Sequence, residues 1–238
     1  MLFRSRSVLR HFHEFSRVLY DRMVVWSGAL DSMDFDHDGS ERLFELGRKG
    51  EGALLLGAHV GSLDMMALIS RRYGLKVNVV AFYRNAERIN AFLESLGAKS
   101  VRLIQLEPGS VQAAFEVRSC IERGEFVAMM ADRVTPGAAG RSATRSFLGR
   151  DARFPLGPFL LAGVLGCPVY LAFCARTGDA RYTTVLRPLA PAQRVRRAER
   201  AAWASELMGR YVARIEETCR RYPYQWFNFF DFWEEPSG

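Results

Sequence analysis

The apolar residues of this chain follow two different spacings, which predict where helices and strands lie. Residues 4–26 carry apolar side chains at helical spacing with arginines between them, and this predicts a basic amphipathic helix. From residue 50 onward, short apolar runs alternate with segments of helical pattern. The predicted strands span 52–58, 76–83, 100–106, 125–132, 168–175 and 181–189, and the predicted helices span 62–73, 85–97, 110–124, 155–165 and 193–221. Strands that are apolar on both faces and alternate with helices predict an α/β fold with a mostly parallel central sheet flanked by helices.

These elements are expected to form one domain over residues 1–238. An N-terminal amphipathic segment occupies 1–35, an α/β core 40–190, and a C-terminal helix with an aromatic tail 191–238. The longest apolar stretch contains three prolines, so it predicts a core helix followed by a buried strand rather than a membrane span. Pro155 is expected to begin that helix, after a loop over 133–154. The N-terminal helix has two interpretations, because such a helix can lie on an anionic membrane or pack against its own domain.

The net charge of the chain indicates which kind of molecule it binds. The formal net charge is +7, which suggests an acidic partner such as phospholipid, nucleic acid, a phosphorylated metabolite or an acidic carrier protein. Nucleic-acid binding would need aromatic residues interleaved with basic ones, whereas the aromatic residues cluster in the tail YPYQWFNFFDFWEE beside acidic residues. We therefore expect no nucleic-acid partner. The four cysteines lack CxxC spacing, which predicts buried free thiols in a reducing compartment.

One segment matches the spacing of a calcium-binding loop. The sequence DFDHDGSERLFE, residues 34–45, has the D-x-D-x-D-G-x5-E pattern. However, Glu41 stands where a hydrophobic residue is expected, and Arg42 brings a cation toward the would-be cation site. The chain also has no second copy of the loop. We therefore expect a polar turn before a helix that begins at Ser40, and no metal site.

His59 is the strongest candidate for a catalytic residue. It follows a predicted buried strand, and Asp64 comes five positions later. Five residues of one helix turn by roughly 140°, so the two side chains can meet only if His59 precedes the helix and Ser62 lies near its N-cap. Gly57 and Gly61 would allow the sharp turn. A histidine oriented by a carboxylate can act as a general base, and without a serine beside it the nucleophile must come from the substrate. A purely structural role explains the spacing equally well: a histidine at the end of a strand can simply form a hydrogen bond with an acidic residue at the start of the next helix.

Three segments resemble those of a known family and occur in the family's order. LLLGAHVGSLDMMAL resembles the H-x4-D/E block of the glycerolipid and lipid A acyltransferase superfamily, with His59 and Asp64 at the defining positions. VVAFYRNAERINAFLESLGA and MMADRVTPGAAGRSATRSFLGRDARFPLGPFLLAGVLGCPVY resemble later blocks of the bacterial lipid A acyltransferases. The resemblance covers residues 40–190. The acidic aromatic tail differs from lipid A acyltransferases and resembles a predicted branch associated with aryl polyene pigment lipids, so lipid A itself is doubtful as the acceptor.

The resemblance implies specific roles. His59 would be the general base and Asp64 would orient it, while an acceptor hydroxyl attacks the thioester of an acyl carrier protein or coenzyme A. No metal or redox cofactor is implied. The implied substrate-binding residues are Gly61, Arg84, Asn90, Asp132, Arg133, Phe147 and Gly149. Of these, Arg84 and Arg133 suit phosphate groups, whereas Asp132 and residues 147–149 would shape the site.

The expected function is therefore O-acyl transfer to a hydroxyl of a lipid or glycolipid. We expect the protein to be cytoplasmic and peripheral on the cytoplasmic face of the inner membrane. Two alternatives stay open: a thioesterase-like hydrolase, in which water replaces the acceptor, and a non-catalytic lipid-binding protein of the same fold.

Overall fold

The computed structural model describes residues 2–27, 29–82, 101–106, 111–134 and 139–233. Its strands are β1 Asp34–Asp38, β2 Leu54–Gly57, β3 Val77–Phe82, β4 Val101–Leu106, β5 Phe126–Met130, β6 Ser142–Phe147, β7 Arg150–Pro155, β8 Val169–Gly178 and β9 Arg181–Ala190. Its helices are α1 Leu2–Trp26, α2 Glu41–Lys49, α3 Leu63–Arg72, α4 Val111–Glu122, α5 Gly157–Leu165 and α6 Arg200–Arg221. Short 3-10 turns occupy Leu30–Ser32, Ala139–Arg141 and Arg197–Glu199.

Seven strands form the central sheet, in the order β1-β9-β8-β2-β5-β3-β4. Neighbouring strands are parallel except β8 and β9, which are antiparallel. The predicted α/β fold with a mostly parallel sheet, flanking helices and a long C-terminal helix is therefore confirmed. None of the described helices is long and apolar enough to cross a membrane.

Strand β2 lies in the middle of this sheet, and all four of its residues are buried. Leu54 and Leu56 belong to the same apolar cluster as Tyr211 of α6. Leu55 points to the other face and belongs to a cluster with Leu46 of α2. Helices cover both faces of the sheet, which explains why the strand is a continuous apolar run rather than an alternating one. The four cysteines are buried and free, as expected.

The N-terminal helix α1 is partly packed against its own domain and partly exposed. Its second half buries Val18 and Val25. From the same half, Asp21 accepts hydrogen bonds from Arg176 Nε at 2.9 Å and from the Tyr182 hydroxyl at 2.7 Å. Among the described side chains of its first half, Val8, Leu9 and Phe12 are exposed, and Tyr20 and Met23 are exposed in the second half. Packing against the domain therefore accounts for only part of the amphipathic pattern.

Residues 34–38, expected to be a polar turn, instead form the edge strand β1. This strand pairs in parallel with β9, with Asp34 opposite Arg181 and Asp38 opposite Val185. The Asp38 carboxylate accepts hydrogen bonds from Arg187 at 2.7 Å and Arg221 at 3.1 Å. An edge strand with polar side chains shows no apolar run, so the sequence pattern does not reveal it. Ser40 is the N-cap of α2, close to the expected helix start.

The expected loop over 133–154 contains the antiparallel hairpin β6–β7. Its two-residue turn is Leu148–Gly149, with φ of 53° and 82°. Positive φ at both positions is the geometry of a type I′ turn, which fits the twist of a hairpin. Pro155 ends β7 and does not begin a helix, so that expectation is wrong. The helix begins at Gly157 instead, with Pro158 in its first turn, where the missing N–H is not needed.

Two further boundaries differ from expectation or fall outside the structure. The long C-terminal helix begins at Arg200 rather than near 193, after a 3-10 turn. The predicted helix over 85–97 lies outside the described residues.

Candidate active site

The candidate site lies where β2 and β5 end, at neighbouring positions in the centre of the sheet. These strands are parallel, with Gly57 opposite Met130. Two residues further along each chain are His59 and Asp132, so the same register brings them side by side. Carboxyl ends of parallel strands are where open α/β sheets bind their ligands.

His59 and Asp132 are joined by two hydrogen bonds. His59 Nδ1 lies 2.8 Å from Asp132 Oδ1, and the His59 backbone N–H donates to Asp132 Oδ2 at 2.9 Å. The Trp226 indole N–H also lies 3.4 Å from Oδ2. The Asp132 side chain is completely buried, whereas 27% of the His59 side chain is exposed. A buried carboxylate thus fixes a histidine that solvent can still reach.

Two opposing effects set the pKa of Asp132. Burial raises this pKa, but the hydrogen bonds from His59 and the nearby charges of His59 and Arg133 outweigh burial, so the pKa is lower than usual. Asp132 is therefore ionised at neutral pH and can only accept hydrogen bonds. It follows that Nδ1 of His59 carries a proton toward Asp132, so in the neutral ring the free lone pair is on Nε2. Nε2 makes no hydrogen bond within the described part of the chain. This is the tautomer that a general base requires.

The expected hydrogen bond between Asp64 and His59 is not formed, and this expectation is corrected. Asp64 lies in the first turn of α3 and is 3% exposed. Its Oδ2 accepts hydrogen bonds at 2.7 Å from Nε and a terminal nitrogen of Arg22 in α1. Burial raises the pKa of Asp64, and the Arg22 charge opposes that rise. The register of β2 and β5 gives the position beside His59 to Asp132, while Asp64 pairs with α1.

The turn between β2 and α3 depends on Gly61. Its φ is 65°, and a Cβ there would lie 2.0 Å from the carbonyl oxygen of Cys174. Only glycine permits this approach of the turn to β8. The Gly61 N–H donates to the Gln225 carbonyl at 2.9 Å, and the Ser62 N–H donates to the Cys174 carbonyl at 2.8 Å. The Ser62 side chain caps α3 by accepting from Met65 N–H. The expected glycine turn before the helix is thus present at Gly61, with Ser62 as the N-cap, whereas Gly57 is the last residue of β2 and has no positive φ.

The C-terminal tail completes the site, a role that our sequence reasoning missed. The Phe227 N–H donates to the His59 carbonyl at 2.7 Å. Gln225 fixes the tail to β8, because its side chain accepts from the Arg176 N–H at 2.8 Å and donates to the Arg176 carbonyl at 2.7 Å. Polar amides amid a run of aromatic residues, here Gln225 and Asn228, were the available signal. Such amides need hydrogen-bond partners wherever the aromatic residues are buried.

Arg133, expected to suit a phosphate, holds this tail in the structure. Its Nε donates to Asn228 Oδ1 at 2.5 Å, and a terminal nitrogen donates to the Phe227 carbonyl at 2.8 Å. Its guanidinium also lies 5.4 Å from the centre of the Phe230 ring. Burial lowers the pKa of Arg133, and the neighbouring Asp132 charge opposes this. A phosphate would have to share this guanidinium with the tail.

Of the remaining candidate residues from the sequence, two lie in the described part of the structure and two lie outside it. Phe147 is fully buried, and its ring packs edge-on against Trp226 with centres 5.1 Å apart. Phe147 thereby supports the indole that contacts Asp132. Gly149 belongs to the hairpin turn, with open space where a side chain would be. Arg84 and Asn90 lie outside the described residues.

The described ranges contain no group of three or more histidine, cysteine, aspartate or glutamate side chains placed to hold a metal ion.

Comparison with known families adds a finding that the geometry alone does not give. The model of the family described as bacterial lipid A biosynthesis acyltransferase matches residues 6–235. No curated protein matches the chain.

Proposed function

Because the chain belongs to the family of bacterial lipid A biosynthesis acyltransferases, we propose that it transfers an acyl group from a thioester to a hydroxyl of a lipid or glycolipid, with His59 as the general base. The family as a whole supports an acyltransferase of the lipid type. The observation that carries the finer proposal is the His59–Asp132 pair at the carboxyl ends of two central strands, with Nδ1 bound at 2.8 Å and Nε2 open.

The chemistry follows from this tautomer. Nε2 of His59 takes the proton of the acceptor hydroxyl while the hydroxyl oxygen attacks the carbonyl carbon of the thioester. The electrons of the carbonyl double bond move onto its oxygen, which becomes negative. When that double bond forms again, the carbon–sulfur bond breaks and the leaving thiolate takes the proton from His59. Asp132 keeps the ring in place and stabilises the imidazolium between the two steps. The products are an ester and a free thiol.

We assign Asp64 a different role from the one its position in the H-x4-D segment suggests. Its ion pair with Arg22 joins α3, the helix that follows the His59 turn, to the N-terminal helix. Asp64 would therefore hold α1 against the core, and Asp132 would serve as the carboxylate partner of His59.

The proposed acyl donor is an acyl carrier protein or coenzyme A thioester, and the proposed place of action is the cytoplasmic face of the inner membrane. Support for the membrane comes from the apolar patch, defined here as Val8, Leu9, Phe12 and Phe229. Each of these side chains is about half exposed or more, and the Phe12 and Phe229 rings stack with centres 5.3 Å apart. Arg6 and Arg10 are exposed beside it on α1. Apolar side chains next to cations suit a surface of anionic lipid.

The test is acyl transfer from labelled acyl-carrier-protein and acyl-coenzyme A thioesters into a total bacterial lipid extract. The native protein and His59→Ala are compared, with products identified by mass spectrometry. We expect an acylated lipid that requires His59, and a loss of rate of about 10²-fold or more in the variant. Release of free fatty acid at the same rate with and without lipid would favour the hydrolase. Lipid binding by folded protein with no His59-dependent product would favour a binding protein.

A further inference from the structure

We propose that the side-chain amide of Asn228 donates a hydrogen bond to the carbonyl oxygen of the acyl thioester and holds that oxygen when it becomes negative. This inference rests on the proposed acyl transfer and adds a catalytic residue to the same site. It starts from an unsatisfied donor. Nδ2 of Asn228 is buried and has no hydrogen-bond partner within the described part of the chain.

The orientation of this amide is fixed by Arg133. The guanidinium donates from Nε to Asn228 Oδ1 at 2.5 Å. Turning the amide over would place its NH₂ group against an N–H donor, so the observed orientation is the favourable one. The second arm of Arg133 binds the Phe227 carbonyl at 2.8 Å and fixes the backbone just before Asn228. The donor is therefore held in place before any substrate arrives.

The amide is also tied to the catalytic pair on two sides. Phe227, the residue before Asn228, donates its N–H to the carbonyl of His59 at 2.7 Å. Arg133, which binds the amide oxygen, directly follows Asp132, the partner of His59. Asn228 is thus positioned by the neighbours of both residues that carry the proton transfer.

Backbone donors near His59 are already in use. The N–H of His59 binds Asp132. The N–H groups of the next three residues bind the carbonyl oxygens of Ala58, Gln225 and Cys174, respectively, at distances of 2.7–2.9 Å. None of these four N–H groups is free for the substrate oxygen, whereas the Asn228 amide has an N–H to donate.

A donor of this kind has its effect in the transition state. Attack on the thioester puts a full negative charge on the carbonyl oxygen, and an N–H donor that is already oriented binds that charge more tightly than the neutral carbonyl. Burying a polar donor without a partner costs free energy in the resting protein. The cost is offset when the substrate oxygen becomes its acceptor.

Asn228→Asp tests the inference because it keeps an acceptor oxygen for Arg133 and removes the N–H donor. We expect kcat to fall about 100-fold, with little change in KM for the acyl donor and no loss of thermal stability. Hydrolysis of the thioester by water should fall in parallel, because the same oxygen becomes negative. Asn228→Ala, which lacks the donor and adds no charge, should show the same loss of kcat, and this loss should be the same at every pH.

Asn78→Asp is a matched control. Asn78 is also a buried amide whose oxygen accepts from an arginine, Arg102, at 3.0 Å, but its NH₂ group already binds Glu125 and the Phe126 carbonyl. It lies at the opposite end of the sheet, so its variant should lose stability while the folded fraction keeps its kcat. An Asn228→Asp protein with native kcat, or one changed only in KM, would overturn the inference. Absence of any His59-dependent product in the native protein would instead show that the proposed function itself is wrong, and the inference with it.

Discussion

At the scale of single residues, Asp132 occupies the position beside His59 in which Asp64 was expected. Asp132 is fully buried and contacts both the ring and the backbone of His59. Asp64 is nearly as buried but forms an ion pair with Arg22. Both are carboxylates in short polar segments next to the end of an apolar strand or the start of a helix. Their partners, not their own chemistry, decide what each one does.

The two aspartates should therefore respond differently to the same substitution. Asp132→Asn removes the charge that stabilises the His59 imidazolium, and we expect a loss of kcat of about 10²–10⁴-fold. Asp64→Asn removes the charge that pairs with Arg22, but it also removes the burial cost that raises the pKa of Asp64. We therefore expect stability to change by no more than about 1 kcal/mol, with kcat of the folded protein nearly unchanged. Urea unfolding and initial-rate kinetics on both variants check this. The reverse pattern would return Asp64 to the catalytic pair.

His59, which we propose as the general base, could be singled out from the sequence, whereas the carboxylate that the structure places beside it could not. His59 follows a run of buried apolar residues and precedes a glycine and a capping serine, which are local signals. Asp132 reaches it only because β2 and β5 are neighbours in register. Pairing between strands that lie 73 positions apart leaves no mark in the spacing of either segment. The role of Asn228 depends on the same kind of distant contact, through Arg133.

At the scale of elements, continuous apolar strands were predicted well, and polar ones were not. Strands β2, β5 and β8 are largely buried in the sheet and appear as apolar runs. Strand β1 and the hairpin β6–β7 carry polar and half-exposed side chains. They are stabilised by pairing with a neighbour and by contacts such as that of Phe147 with Trp226, which no local pattern encodes.

The two ends of strand β5 adjoin different groups of polar residues. Asp132 follows β5 and belongs to the site, whereas Glu125 precedes β5 and belongs to a polar cluster with Arg123 and Asn78. Hydrogen bonds from Arg123 and Asn78 lower the pKa of Glu125 from 4.5 to about 2, although burial opposes the shift. Activity and acid stability can therefore be altered separately along one strand.

The Glu125 cluster should make stability depend on pH in acid. Because the pKa of Glu125 is lower in the folded protein, its contribution is fully present above pH 4.5 and is lost as the pH falls toward about 2. Glu125→Gln should therefore flatten the fall in unfolding free energy below pH 4.5, while kcat at neutral pH stays unchanged. Urea unfolding at a series of pH values measures this. An unchanged slope in the variant would show that Glu125 gains nothing from its partners in the folded state.

At the scale of the whole molecule, the two ends of the described chain meet. The His11 ring lies 3.1 Å from the Tyr224 carbonyl through Nδ1. The Phe15 ring packs against those of Phe227 and Phe229, with centres 5.1 and 4.8 Å away. The surface that we propose for the membrane is thus continuous with the tail that binds His59. An acceptor held in a lipid layer would then lie near the base that activates it.

The apolar patch should govern binding to membranes. Replacing Phe12 and Phe229 together by serine should weaken binding to anionic vesicles by at least about tenfold, because each exposed ring contributes on the order of 1–2 kcal/mol when it enters the interface. Vesicle sedimentation at low and high salt measures the effect. Phe115→Ser is the control, since Phe115 is similarly exposed on α4 but outside the patch. Equal losses in both proteins would rule out a specific role for the patch.

The position of the tail along the chain also bears on the order of synthesis. Residues up to 132 are made first and contain both members of the proposed proton-transfer pair, whereas Phe227 and Asn228 leave the ribosome about a hundred residues later. Until then the carbonyl of His59 has no partner in the tail and Arg133 has nothing to hold. A nascent chain would therefore contain the base without the donor for the substrate oxygen. Acyl transfer would reach its full rate only once the tail has been translated and has folded onto the sheet.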